Sequence, residues 1–491
     1  MILSELLDGP VNKLWEDNAV EIRGIALDSR KVKKDFVFFA VDGAVEHGMV
    51  YARQAIENGA FAVIYDPRGC ENITLEQFES YALEVKELAL KLGSIADRFY
   101  HSPSKRLDVI GVTGTNGKTT CSQFLQQLMP DCGVIGTLGW GEGKALTKTL
   151  NTTPGALDVH QILARFAEDK KKAVAMEVSS HGLEQGRVNA VNFKGALFTN
   201  LSRDHLDYHG SMEAYLKAKL ALFKRPELEF AVANTDDDSS ELFLNATQRH
   251  VKRWAFSAKG RESLMAENVT ADKVEYSLNG IKFYVCWGRK RVLIQTKIVG
   301  DFNLENILAV ITVLLAEGYS LDEAGRKANG LAPVVGRMEG FGGKGKPFVF
   351  VDYAHTPDAL EKVLQGLRKY CSQTLWLVFG CGGNRDKGKR AQMGAVAEKM
   401  ADQVVITDDN PRLEKPELII NDIVDGFTGE DRFEIIQNRE MAIQSVINKA
   451  DKNDCIVIAG KGHECYQDIK GIKHEFSDQQ VVQQALLEWA K

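Results

Sequence analysis

Apolar residues fall into short runs separated by glycine-rich turns, and the runs change character along the chain. Residues 1–88 hold the β-rich runs IRGIALDSR, FVFFAV and FAVIYD, with a helix-like stretch from Met49 to Asn58 stopped at Gly59. Val85, Leu88, Ala89, Leu92, Ile95, Ala96 and Phe99 recur at helical spacing and predict a helix with one apolar stripe. Leu107 to Val112 is too short for a helix and reads as a strand. The runs at 173–178, 193–199 and 230–234 read as buried parallel strands, with helical periodicity between them. From 251 to 299 the runs become shorter and alternating, and Asn279-Gly280 marks a hairpin turn. Periodicity lapses in the glycine-rich text around 330–346, which reads as a domain boundary. The pattern then restarts: FVFVDYA, TLWLVFG, QVVITDD, FEIIQ and CIVIAG predict a second α/β unit of about five strands.

The expected fold is therefore α/β in three domains, over residues 1–88, 89–333 and 334–491. A length of 491 residues agrees, at one domain per ~150 residues. A composition 44% hydrophobic and 26% charged excludes a disordered chain, a collagen-like repeat and a disulfide scaffold. The net charge of −6 gives no basic excess for nucleic acid or an anionic membrane. Apolar stretches such as Ile307 to Ala316 fall short of the ~20 residues of a membrane span. The start, MILSELLDG, lacks the basic region of a secretory signal. Eight cysteines without a CxxC pair read as reduced, buried thiols of a cytoplasmic protein. A monomer is the default expectation.

Candidate chemistry begins at GVTGTNGKTT, Gly111 to Thr120, between a predicted strand and a predicted helix. Glycines let backbone N–H groups curl around phosphate oxygens, and a helix N-terminus adds partial positive charge. Lys118 can reach the β- and γ-phosphates of a nucleotide, and the Thr119 hydroxyl suits Mg²⁺. Glu177 ends a buried strand, where α/β sheets bind ligands, and its carboxylate can hold a cation. His205 and His209 lie four apart, a spacing that on a helix would suit zinc. Asp207 between them and Gly210 after them favour a loop, with one histidine beside Mg²⁺ or phosphate. Ser211 and Glu213 open a helix that carries Lys217 and Lys219, which alone would be solvated helix residues.

In this order the chain also carries NTTP (151–154), MEVSSHG, TNLSRDHLDYHG, KAKLALF, GDFNLENILAV, VGRME, VDYAHTPDAL, FGCGGNRDKGKR, TDDNPR and AGKGHECYQ. Together with the phosphate loop they resemble the Mur ligases, on the branch that adds the third peptide residue to UDP-MurNAc-L-Ala-D-Glu. The resemblance covers the chain from about Leu27 to its end. It implies an N-terminal uridine-nucleotide domain, a central P-loop ATPase-like domain and a C-terminal Rossmann-like domain.

The resemblance also implies roles. Gly114, Thr115, Asn116, Gly117, Lys118, Thr119 and Thr120 would bind ATP phosphates and Mg²⁺, with Glu177 and His205 as metal ligands. Asn303, Asn306, Arg337, Asp352 and His355 match the other nucleotide-contacting positions. Leu27 and Ser29 match uridine contacts, and Asn151, Thr152, Thr153, Ser179, Gln185 and Arg187 match positions that hold UDP-MurNAc-dipeptide. Lys219, not Lys217, aligns with a lysine the family carries as a carbamate, a further metal ligand. Arg385, Asp409, Asn410, Pro411, Arg412, Gly460 and Glu464 match the amino-acid pocket. The family's N-terminal loop often reads GxxxDGH, whereas here Gly43 is followed by Ala-Val-Glu-His, so contacts at 44–46 are not carried over.

The implied reaction activates the D-Glu carboxylate as an acyl phosphate and lets an amine displace phosphate. The family divides between meso-diaminopimelate and L-lysine. Diaminopimelate carries a second carboxylate, which an arginine fork pairs bidentately. DNPR, with Arg412, resembles the diaminopimelate branch. The alternatives are the lysine-adding branch, a folylpolyglutamate-type ligase, which NTTP, SRDHLDYHG and DNPR oppose, and a P-loop ATPase of another class, which the negative charge opposes.

Overall fold

The computed structural model describes residues 1–9, 20–43, 46–70, 73–143, 145–429 and 432–490. Residues 44 and 45 of the N-terminal loop lie outside the described residues. Three main sheets organise the chain. The first is four-stranded and parallel, running Gly24–Ala26, Phe36–Ala40, Ala60–Tyr65 and Ala82–Glu84 in chain order. The helix Leu88–Phe99 buries Leu88, Leu92, Ile95 and Ala96 in one cluster with Val37, Phe39 and Ile64 of this sheet and Ala156 and Leu157 of the next helix. Apolar side chains at i, i+4 and i+7 thus pack this helix between the first sheet and the helix Ala156–Glu168. Val85 does not join that helix; its N–H bonds the Tyr65 carbonyl as the chain leaves the sheet. The helix expected from Met49 opens as a 3₁₀ turn, Gly48–Tyr51, and becomes α-helical at Ala52–Glu57.

The central sheet has eleven strands. Its core runs parallel, with Asp108–Thr113 between Phe193–Phe198 and Ala173–Glu177. These strands are buried on both faces, which is why they read as continuous apolar runs rather than alternating ones. Antiparallel strands close both ends. The hairpin Glu267–Ser277/Gly280–Trp287 is present, but Ser277 pairs with Gly280, so its turn is Leu278-Asn279 and not Asn279-Gly280. Gly280 is fixed by its neighbour: a Cβ there would lie 1.8 Å from the Thr296 carbonyl oxygen of the next strand. The helix Asp301–Ala316, the most apolar in the chain, is buried on nearly every side behind this sheet. Among the described residues no helix is long and apolar enough to cross a membrane.

The third sheet has six strands. Five are the predicted parallel ones, in the order Phe348–Asp352, Cys455–Ala459, Leu375–Phe379, Gln403–Ile406, Glu434–Ile435. FEIIQ contributes only two residues to its strand. The sixth, Glu339–Gly342, adds an antiparallel edge from within the glycine-rich stretch, where pattern alone showed no strand. The thiols also divide differently from expectation: six are buried, Cys286 is half-buried and Cys465 is exposed.

Candidate active site

The loop Gly114–Gly117 leaves the central strand of the eleven-stranded sheet and enters the helix Lys118–Leu128. Its shape is set by the adjacent strand end: Thr115 N–H bonds the Asn200 carbonyl at 2.8 Å, and Asn116 N–H bonds Asn200 Oδ1 at 2.9 Å. Gly114 has φ +146°, and a Cβ there would lie 1.9 Å from Thr199 Oγ1, so only glycine fits. Lys118 Nζ donates to the Gly114 and Thr115 carbonyls at 2.8 Å each, which folds the ammonium over the loop's own cradle.

Glu177 ends the neighbouring strand and is 1% exposed. One carboxylate oxygen accepts from Thr119 Oγ1 and Thr137 Oγ1, both at 3.0 Å, and the other from Thr137 N–H at 2.9 Å. Thr119 also accepts from Arg337 Nη2 at 3.2 Å, and the Arg337 guanidinium lies 4.5 Å from the Tyr353 ring centroid. Arg337 Nε is buried with no acceptor among the described residues. A buried donor without a partner is costly, and beside a phosphate loop it fits an anionic ligand.

The helix Met212–Phe223, capped by the Ser211 hydroxyl on Ala214 N–H, sorts its two lysines. Lys217 is exposed, whereas Lys219 is 1% exposed and donates to the Gly114 carbonyl at 2.8 Å. Burial, and after it the Lys118 charge, hold the Lys219 amine well below its ordinary value. The histidine segment forms a single helical turn, Leu206–His209, where a loop was expected. His209 is consumed there, bonded to Ser180 Oγ at 2.9 Å and Glu184 at 3.0 Å. His205 stays half-exposed beside Asp204. Burial pushes the Asp204 carboxyl up, but His205, His355 and Lys118 outweigh it and hold it below its ordinary value.

The positions matched to the sugar-nucleotide dipeptide form one connected set next to Glu177. Thr153 Oγ1 donates to the Glu177 carbonyl at 2.8 Å and accepts from Ser179 N–H at 3.0 Å. Arg187 holds the Thr153 carbonyl at 2.9 Å and the Gln185 amide oxygen through Nε at 2.9 Å. Thr152 meets Thr137 at 3.0 Å, and Asn151 is exposed at the mouth of a 710 Å³ cavity that also takes in Lys31. Leu27 is exposed, but Ser29 is buried with its hydroxyl on Gln54 Oε1 at 2.6 Å. Asn306 packs against Gly117 and is itself held by Asn303 at 3.0 Å. Asp352 accepts the Met338 and Ala354 N–H groups at 2.7 Å, which fixes the turn that carries Arg337 and His355.

The third group sits at the carboxyl ends of the C-terminal sheet. Asn410 Nδ2 donates to Glu464 Oε2 at 2.7 Å. Arg412, at φ +50°, is half-buried with Nη1 on the Gly383 carbonyl at 2.7 Å. Its other side-chain N–H groups have no acceptor among the described residues. Gly460 packs against Asp409 Oδ2. Arg385 is exposed, and its one side-chain hydrogen bond among the described residues is to the Asn384 carbonyl, at 3.5 Å, so it stands outside the Asn410–Glu464 pair. A chain of rings joins this group to the phosphate loop: Arg337 stacks on Tyr353, and Tyr353 lies 5.1 Å from His463, next to Glu464.

Four participants lay outside the sequence reading. Thr137 follows a strand end as Glu177 does, a signal that could have found it. Asp204 is the neighbour of His205. Asp358, in the first turn of the helix Pro357–Arg368, accepts from Asn116 Nδ2 and Ser202 Oγ at 3.0 Å each, clasping the C-terminal unit to the phosphate loop. Lys461, between two glycines, reads as a solvated loop lysine but is fully buried.

Burial lowers the imidazoles of His355 to about 4 and His463 to about 3. The unfolded chain therefore takes up these protons first, at the ordinary 6.5. Their contribution to stability is full above pH 6.5 and is lost as pH falls from there towards 3. Thermal melting should show Tm falling below pH 6.5, and His463→Asn should make that fall shallower. An unchanged slope in the variant would contradict the assignment.

Known proteins can be set against this geometry. The family descriptions "Mur ligase family, catalytic domain", "Mur ligase middle domain" and "Mur ligase, glutamate ligase domain" match residues 21–100, 112–314 and 336–462. The UDP-N-acetylmuramoyl-L-alanyl-D-glutamate–2,6-diaminopimelate ligase of Ectopseudomonas mendocina is 44% identical over 487 residues, 98% of each chain. A solved structure of a ligase of the same name superposes with a TM-score of 0.70 at 34% identity, over 99% of both chains. A Thermotoga maritima MurF ligase in complex with ADP shares the fold, with a TM-score of 0.62 at 17% identity, over 97% of this chain and 99% of that one. The chain belongs to the Mur ligase family.

Proposed function

We propose that this protein joins meso-diaminopimelate to the D-Glu carboxylate of UDP-MurNAc-L-Ala-D-Glu, converting ATP to ADP and phosphate. The observation that carries this reading is the Asn410–Glu464–Arg412 group one ring stack away from Arg337 and the phosphate loop. Near-full-length likeness to ligases of that name supports it. Residues 1–88 and the Thr153–Arg187 set hold the sugar nucleotide, residues 89–333 hold ATP, and residues 334–491 hold the incoming amino acid. We read the protein as a cytoplasmic monomer.

A carboxylate and an amine do not condense unaided, so the γ-phosphoryl group first moves to the D-Glu carboxylate. Two anions must approach, and Lys118 and Arg337 supply the positive charge that permits it. Thr199 and Asn200 hold the Asn116 carbonyl, and Asn200 also takes the Thr115 and Asn116 N–H groups, so the N–H groups from Gly117 onward are the ones that face the phosphates. The amine of diaminopimelate, presented from the C-terminal sheet, then attacks the acyl phosphate and phosphate leaves. Holding three substrates in line contributes up to ~7–11 kcal/mol where orientation is good.

The donor set beside the loop fits Mg²⁺: Thr119 and Glu177 are hard oxygen ligands in contact, with His205 on the next loop. Bound there, Mg²⁺ would neutralise phosphate charge during transfer. Lys219 suits such a site only as an anion. Its buried amine, held neutral more readily than an ordinary lysine, adds to CO₂ with loss of one proton to give a carbamate.

Arg412 is the residue placed to pair with the distal carboxylate of diaminopimelate, which L-lysine lacks. Losing a charged hydrogen-bond partner costs ~1.5–3 kcal/mol. Arg412→Ala should raise KM for diaminopimelate at least about tenfold, with KM for ATP and the sugar nucleotide near normal, and should narrow the preference over lysine. Steady-state kinetics with both amino acids check this; an unchanged preference ratio would remove Arg412 from specificity.

A further inference from the structure

Lys461 is fully buried, yet no step above uses it. Its ammonium donates to Asn410 Oδ1 and to Glu464 Oε2, both at 3.0 Å, and Asn410 Nδ2 closes the triangle on Glu464 Oε2 at 2.7 Å. The Asp468 N–H also reaches Asn410 Oδ1, at 2.9 Å. We propose that Lys461 is a specificity-determining positioning residue: it orients Asn410 and neutralises Glu464 so that the pocket accepts a zwitterionic amino-acid centre and rejects a plain ammonium group. The proposal rests on the functional reading above and names how that site chooses its substrate.

The donors and acceptors around Asn410 leave it one orientation. Lys461 and Asp468 occupy both lone pairs of Asn410 Oδ1, so the amide must turn its NH₂ group to the pocket. One of those hydrogens is taken by Glu464, and the other has no acceptor among the described residues. Glu464 Oε2 is filled by Asn410 and Lys461, while Oε1 has no partner among the described residues. The pocket thus presents one amide donor beside one carboxylate acceptor, with the free N–H groups of Arg412 on the same segment. That set matches a carbon bearing both a carboxylate and an ammonium group, as at the distal end of diaminopimelate. Charge gives the same answer. Without Lys461, Glu464 would be an uncompensated anion and would attract the lone side-chain ammonium of L-lysine. With Lys461 in place the pair is neutral, and a lone ammonium gains little while leaving Arg412 unpaired.

The test is steady-state kinetics of the full chain with ATP, UDP-MurNAc-L-Ala-D-Glu and three amino acids: meso-diaminopimelate, L-lysine, which lacks the distal carboxylate, and 2-aminopimelate, which lacks the distal ammonium. Lys461→Met keeps the side-chain length and removes the charge. It should raise KM for diaminopimelate at least about tenfold and lower its kcat/KM ratio to lysine by a similar factor, while KM for ATP and the sugar nucleotide stays within about twofold. A merely structural role would depress all three substrates together and leave the ratio unchanged, which would overturn the proposal. Glu464→Gln reads the same charge balance from the other side, whether or not Lys461→Met folds. It leaves the Lys461 charge uncompensated and should move preference from diaminopimelate towards 2-aminopimelate by about tenfold or more; no movement would also overturn the proposal. A wild type that does not ligate diaminopimelate would remove the functional reading itself. A wild type that does, with both variants' ratios unchanged, would remove only the role of Lys461.

Discussion

Lys118→Ala should abolish ligation, lowering kcat by at least about 10²- to 10³-fold, the range seen when one preorganised donor to developing charge is removed. The loop backbone can still curl around phosphates, since its shape comes from Asn200 and Thr199 rather than from the lysine. What disappears is the ammonium now held on the Gly114 and Thr115 carbonyls, which in the proposed mechanism would swing onto the β- and γ-phosphates. Binding of UDP-MurNAc-L-Ala-D-Glu should persist, because its matched contacts at Thr153, Ser179, Gln185 and Arg187 form a separate hydrogen-bonded set. Titration calorimetry with the sugar nucleotide, beside a turnover assay, checks both halves. Near-normal turnover in the variant would contradict the phosphate-loop assignment.

Lys219→Ala should be nearly inactive and recover partly with acetate or formate. The side chain is 1% exposed and ends on the Gly114 carbonyl, at the root of the phosphate loop. As a plain ammonium it would repel Lys118 and any metal ion near Glu177; as a carbamate it supplies two oxygens to the same place. A small carboxylate that enters the space left by the truncated side chain restores that negative charge. Carbon-13 NMR of protein equilibrated with labelled bicarbonate should show the adduct in wild type and not in the variant. A fully active Lys219→Ala, with no adduct in wild type, would return Lys219 to a purely structural part.

The parallel strands were legible because burial on both faces makes them continuous apolar runs, and Asp108–Thr113, Ala173–Glu177 and Phe193–Phe198 fall within a residue of their predicted limits. The hairpin turn was displaced by one residue because its register is set by Gly280 against the third strand, a tertiary contact that no local turn signal carries. Glu339–Gly342 was invisible because an edge strand rich in glycine has no apolar period, and its partner Phe348–Asp352 supplies the pairing. The choice between Lys217 and Lys219 came from family likeness, and the helix face explains it: two residues apart, they point to solvent and core respectively. Asp358 and Lys461 escaped because each acts through partners more than fifty residues away, Asn116 for one and Asn410 for the other.

A three-substrate ligation that ends on diaminopimelate has a simple signature in solution. ADP release by the purified chain, followed in a coupled assay with ATP, UDP-MurNAc-L-Ala-D-Glu and meso-diaminopimelate, tests it most directly, with mass spectrometry of the nucleotide product. Sustained ADP release is expected only when both acceptor and amino acid are present, with a product heavier by one diaminopimelate residue and a kcat/KM for diaminopimelate far above that for L-lysine. Release that proceeds without the sugar nucleotide, or a higher kcat/KM for lysine than for diaminopimelate, would contradict it.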